Sequence, residues 1–200
     1  LGIGPEERVL VILGRLAQEK NVEEILGFLC RRKNLRCLIV GGGPYREVLE
    51  ARVRELELDG RVIFTGMVPP EETGRYYRAG DIFVSASNSE TQGLTYVEAL
   101  ACGLPAICRK DDCLEGVIEN GYNGWQYETE EEFWQAADRL LNSEAEYARV
   151  SVNASRSAQM FSKEIFAQRA EQAYRRAIFC HRFFIKDEPF PSRLPHSIWK

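Results

Sequence analysis

The sequence predicts an α/β protein in which an open parallel sheet carries helices on its faces. Three observations lead there. Short apolar runs alternate with helical patterns over most of the chain, the apolar runs lead into turns carrying Gly, Pro or Asn, and from Glu130 onward the pattern changes to helix alone. With 200 residues and 44% hydrophobic content the chain can bury the core of one domain.

The elements follow in order. A strand from Val9 to Leu13 leads to a helix over Val22 to Arg32 and a strand from Cys37 to Val40. A helix through Tyr45 to Leu58, a strand Val62 to Thr65, a helix near Glu71 to Arg78 and a strand Ile82 to Ala86 continue the alternation. Gly93 to Cys102 is glycine or largely apolar except for Thr95 and Glu98, which predicts a helix that is apolar nearly all round and lies in the core. Two short strands, Ala106 to Cys108 and Trp125 to Tyr127, close the sheet. Beyond them Phe133, Ala136, Ala137, Leu140 and Leu141 form one helical stripe, and Phe161, Ile165, Phe166, Ala170 and Tyr174 another, both expected to cover the sheet. The closing segment KDEPFPSRLPHSIWK has three prolines and little scope for regular structure, so residues 183–200 read as a tail that lies on something else. The Rossmann-like domain itself is expected over residues 1–182.

Composition excludes several function classes. Thirty acidic against twenty-six basic residues give a formal charge of −4, with no basic excess to displace the counterions of nucleic acid. No apolar run approaches a membrane span and no basic-then-apolar leader opens the chain, so the simplest location is the cytoplasm. The six cysteines occur without any CxxC and with only two histidines, which gives no zinc framework. No cofactor or metal is expected.

Open parallel sheets bind ligands at the carboxyl ends of their strands, so the turns there are the candidate site. The first, GRLAQEKN, has Gly14 for close backbone approach and the cations Arg15 and Lys20. The pair suits a diphosphate, or is solvated charge paired casually with Glu19 or Glu23. The second, VGGGPYR, has Gly41, Gly42 and Gly43 to cradle a phosphate or simply to pack a tight turn. A dinucleotide fingerprint would need glycine where Arg46 stands, which disfavours a nicotinamide enzyme. In the third, FTGMVPPEE, the backbone of Met67 and Val68 can read the edge of a flat base, or merely connect. The fourth places Glu90 before a helix whose first amides, at Gly93, Leu94 and Thr95, can face a phosphate, with Glu98 one turn further in. On a buried face Glu98 would need hydrogen-bond donors or a proton. A nucleotide sugar, with hydroxyls at both ends and phosphates between, satisfies both carboxylates and the amides. A buried Lys, Arg or Tyr is the alternative partner for Glu98.

Taken together, GRLAQEK, VGGGP, FTG, Glu90 and Glu98 with seven residues between them, and ALACGLPAI resemble the C-terminal, nucleotide-sugar-binding domain of retaining GT-B glycosyltransferases of family 4, over Val9 to Leu141. The stretch CRKDDCLEGVIENGYNG is similar to bacterial transferases that move glucose onto diacylglycerol. The resemblance implies a Rossmann-like sheet forming one half of a GT-B fold, and a UDP-sugar as donor substrate. Arg15 and Lys20 would bind the diphosphate, Glu90 the donor sugar, Glu98 the ribose, and the Gly93 to Thr95 amides sugar and phosphate, with Glu90, Arg15 and Lys20 as the catalytic residues. It further implies front-face transfer without a bound metal, and an N-terminal acceptor-binding domain of the same enzyme on which the tail packs. The acceptor would be a membrane lipid, the full enzyme working at the inner membrane face, and the isolated chain would be inactive. The alternative is a non-catalytic nucleotide-sugar-binding subunit acting with a separate acceptor-binding partner.

Overall fold

Strand β1 (Arg8–Leu13) shows why a central parallel strand reads as an unbroken apolar run. Its successive side chains point to opposite faces, and both faces are covered: Leu10 and Ile12 enter one hydrophobic cluster, Val9 and Val11 the other. The computed structural model describes residues 2–4, 7–90 and 93–184.

After β1 come α1 (Val22–Leu29), β2 (Leu35–Val40), α2 (Arg46–Glu55), β3 (Val62–Gly66), α3 (Thr73–Tyr77), β4 (Ile82–Ser85), α4 (Leu94–Ala101), β5 (Ala106–Arg109), β6 (Gly124–Tyr127), α5 (Glu130–Leu141), α6 (Glu144–Gln159) and α7 (Lys163–Phe184). The strands form one sheet in the order β3-β2-β1-β4-β5-β6, every pairing parallel. One face is packed by Val22, Ile25, Leu26 and Leu29 of α1, Leu49 and Val53 of α2, and Phe133, Ala136, Ala137 and Leu140 of α5. The other is packed by Tyr77 of α3, Tyr96, Ala99 and Leu100 of α4, and Ala154 and Ala158 of α6. This is a doubly wound, Rossmann-like sheet whose chain reverses direction of travel between β1 and β4. The crevice at that reversal is the candidate site.

The expected strands are all present, and the Phe133 stripe packs on the sheet as the spacing required. The expectation for α4 needs correction. Tyr96, Ala99 and Leu100 are buried, but Leu94 is 61% exposed, and Glu98 and Ala101 are exposed too. The helix is apolar nearly all round in composition but buries one face and leaves the other exposed, with Leu94 of its first turn at the crevice.

The chain divides into two compact units, Leu1–Met160 and Phe161–Lys200. The second holds α7, in which Ser162 accepts hydrogen bonds from the first-turn amides of Ile165 and Phe166. Phe183 and Phe184, expected to open the tail, are the last helical residues, and the remainder of the tail lies outside the described residues. No helix among the described residues is long and apolar enough to cross a membrane.

Candidate functional site

A cavity of about 460 Å³ opens between the carboxyl ends of β1 and β4, and residues from two of the four predicted turns line it: Gly14, Arg15 and Lys20 from the first, Glu90, Gly93 and Thr95 from the fourth. Leu94 completes the fourth-turn wall. The parallel pairing of β1 with β4, Leu10 beside Ile82 and Val11 beside Phe83, brings the two turns together although about seventy residues separate them in sequence.

The first turn runs into a 3₁₀ turn, Gln18–Lys20, ended by Asn21 in the left-handed region at φ 48°. Lys20 Nζ donates to Glu90 Oε1 at 2.8 Å and lies 3.4 Å from the hydroxyl of the buried Ser87. The amide of Asn88 donates to Glu19 O at 2.9 Å, so backbone and side chain both tie the two turns together. With only 11% of the Glu90 side chain exposed, this ion pair is largely shielded from solvent. An ammonium has three protons, and those not used on Glu90 and Ser87 remain for a ligand. Arg15 is 65% exposed and pairs with Glu19, the casual surface partner foreseen for it. Helix α4 is preceded by Gly93, which is left-handed at φ 60°, and the first bonds to the Gly93 carbonyl come from Tyr96 and Val97. The amides of Leu94 and Thr95 therefore precede the helical ladder, at its positive end and in the cavity wall.

The triple-glycine turn has a structural explanation. Gly41 is left-handed at φ 130°, and a Cβ there would collide with the Gly14 carbonyl; a Cβ on Gly43 would collide with the Leu16 carbonyl. The amides of Gly14 and Leu16 donate to Val40 O and Gly42 O, both at 2.9 Å. The second turn is thus a backbone buttress beneath the first, and its glycines are outside the cavity lining. Met67 and Val68 also lie outside that lining, after β3, with Met67 86% exposed and its side chain over Gly42.

Glu98 is likewise not among the lining residues, and its partner is Tyr77, whose phenol donates to Glu98 Oε2 at 2.9 Å. A buried tyrosine is among the alternative partners expected for Glu98, though the sequence does not single out Tyr77; Ser85, Ser87 and Ser89 were missed. Ser85 accepts from Tyr96 Oη at 2.7 Å, while Ser87 receives the Ser89 amide at 3.5 Å. The run SASNS after β4 was the available signal, since short hydroxyl side chains bond their own loop backbone.

Residues 1–157 match the sequence pattern of the family described as glycosyl transferases group 1. The chain belongs to that family. Its relatives include the alpha-monoglucosyldiacylglycerol synthase of Streptococcus pneumoniae, 36% identical over 201 residues that cover 97% of this chain and 45% of that protein. This group 1 chain spans less than half the length of the first curated relatives it matches. Among solved structures it is similar to sucrose-phosphate synthase from Thermosynechococcus elongatus, with a TM-score of 0.79 and 26% identity over 88% of this chain and 46% of that one. It also shares its fold with Anabaena HepE, solved in complex with UDP and glucose, at a TM-score of 0.77 and 21% identity over 84% of this chain and 48% of that one. The expected fold class, a Rossmann-like parallel sheet with flanking helices as in GT-B glycosyltransferases, is thereby borne out.

Proposed function

We propose that this group 1 chain is the donor-binding domain of a retaining hexosyltransferase and holds a UDP-sugar, glucose first among the sugars, in the crevice between β1 and β4. One observation carries the reading: Lys20, Glu90 and the open amides of α4 line a single cavity at the sheet's point of reversal. The diphosphate lies against Arg15, Lys20 and the Leu94 and Thr95 amides. The sugar hydroxyls meet Glu90, which Lys20 holds through one oxygen, leaving the other to accept. Glu98 takes the ribose hydroxyls, and the backbone at Met67 and Val68 the edge of the base.

As the bond from the anomeric carbon to the diphosphate breaks, its electron pair and negative charge pass to the leaving phosphate oxygen. Two cations and the positive end of α4 stabilise charge at that point. The acceptor hydroxyl bonds to the anomeric carbon on the same face and passes its proton to the departing diphosphate oxygen. The glycolipid synthases among the relatives favour diacylglycerol as that acceptor, and an acceptor-binding N-terminal domain completes the cleft at the membrane surface.

Calorimetric titration with UDP-glucose, UDP-galactose, GDP-mannose and NAD tests the donor assignment. UDP-glucose is expected to bind most tightly; tightest binding of NAD would contradict it. In a radiolabelled assay with diacylglycerol the 200-residue chain is expected to transfer nothing by itself.

A further inference from the structure

Tyr77 closes α3 and is fully buried, yet its phenol oxygen reaches α4 at two points. It stands 2.9 Å from Glu98 Oε2 and 3.2 Å from the Thr95 carbonyl oxygen. A phenol has one proton to donate, and the nearer, charged acceptor takes it. Burial first, then the charge and hydrogen bond of Glu98, raise the Tyr77 pKa well above its ordinary value, so the group stays a donor throughout the neutral range. The ring is held edge-on to Phe83, with centroids 5.9 Å apart. The phenol is therefore a fixed post.

Glu98 has the opposite character. It stands on the exposed face of α4, and among the described residues Tyr77 is the one hydrogen-bond partner of its carboxylate. An unrestrained glutamate on such a face samples several rotamers and must be ordered when a ligand arrives.

We propose that Tyr77 is a positioning residue for the nucleotide: by holding Oε2 of Glu98 it presents the remaining carboxylate oxygen to the ribose hydroxyls. This rests on the reading of Glu98 as the ribose-binding carboxylate. The placement is economical, because α3 follows the β3 turn that carries Met67 and Val68, while Thr95, which the same phenol touches, lines the phosphate end of the cavity. One side chain thus ties Glu98 to the stretch of α4 that lines the cavity.

The test titrates UDP and 2′-deoxy-UDP by calorimetry into the 200-residue chain and into Tyr77→Phe, Glu98→Ala and the double variant. Phenylalanine keeps the ring against Phe83, and the thermal midpoint, measured alongside, is expected to stay near the parent's. The parent should prefer UDP. Tyr77→Phe should weaken UDP about 3- to 10-fold, weaken 2′-deoxy-UDP less, and add no loss once Glu98 is alanine. If Tyr77→Phe binds UDP like the parent while Glu98→Ala loses the preference for ribose, Tyr77 has no positioning role and the Glu98 reading survives. An equal loss with and without Glu98 would make the effect structural and overturn the proposal. If the parent binds both nucleotides alike, the ribose reading of Glu98 falls and the proposal with it.

Discussion

Lys20 and Glu90 neutralise one another across the mouth of the cavity, and that pairing separates the roles of the site residues under mutation. Lys20→Ala removes a diphosphate donor and leaves Glu90 without its cation, so UDP affinity and turnover of the full enzyme should fall together. Glu90→Gln should leave UDP affinity nearly unchanged and lower turnover about tenfold or more, because a misplaced anomeric carbon forfeits alignment. Glu98→Gln should weaken UDP itself by about 1–3 kcal/mol. Calorimetry with UDP and steady-state kinetics with UDP-glucose separate these outcomes; UDP affinity lost in Glu90→Gln and kept in Glu98→Gln would reverse the assignment. The glycines give a second contrast. Gly41→Ala is expected to destabilise by about 2–4 kcal/mol, combining left-handed strain with a backbone collision. Gly60→Ala, left-handed at φ 76° with nothing within 4 Å of a Cβ, should cost only about 1–2 kcal/mol. Denaturant unfolding of both variants measures the difference. Equal losses would mean that the second turn does not buttress the first. At this scale the sequence showed the charged residues and the glycines, but not their partners: Tyr77 and Glu98 are 21 residues apart and meet only through the packing of α3 on α4.

Among the elements, strands β1, β2 and β4 were legible because both their faces are buried, which writes each as an apolar run bounded by turn residues. Helix α4 was misjudged because composition does not tell an apolar face that packs from one that borders a crevice; Leu94 at 61% exposure is such a residue. Helix α5 shows the reverse case of a signal that needs no tertiary context. Thr129 accepts from the Glu132 amide while Glu132 accepts from the Thr129 amide at 3.2 Å, a reciprocal cap. The Glu128 and Thr129 amides hold the Glu132 carboxyl below its ordinary value of 4.5. A depressed carboxyl stabilises the fold above its unfolded pKa, and the contribution is lost as pH falls through the lower folded value. Glu132→Gln should therefore lower the thermal midpoint at pH 7, and the difference from the parent should shrink as the pH is taken below about 4. Thr129→Ala should cost about 1 kcal/mol at neutral pH. A midpoint difference for Glu132→Gln that does not change with pH would remove charge from the account of this cap.

At the scale of the molecule, the alternation of strands and helices foretold a parallel sheet with its site at the strand ends, and the order β3-β2-β1-β4-β5-β6 adds what alternation cannot supply. That order places β1 beside β4, and so the cations of the first turn beside Glu90 and α4. Nothing in a linear pattern chooses β4 over another strand as the neighbour of β1. The central claim is that this one crevice receives the nucleotide sugar. Amide chemical-shift mapping of the 22.8 kDa chain on titration with UDP-glucose tests it most directly. The account predicts the largest shifts at Gly14, Arg15, Lys20, Glu90, Gly93, Leu94 and Thr95, with a further group at Met67, Val68 and Glu98. Shifts concentrated instead at the opposite end of the sheet, around Arg31, Arg32 and Trp134, with the β1 and β4 turns unmoved, would contradict it.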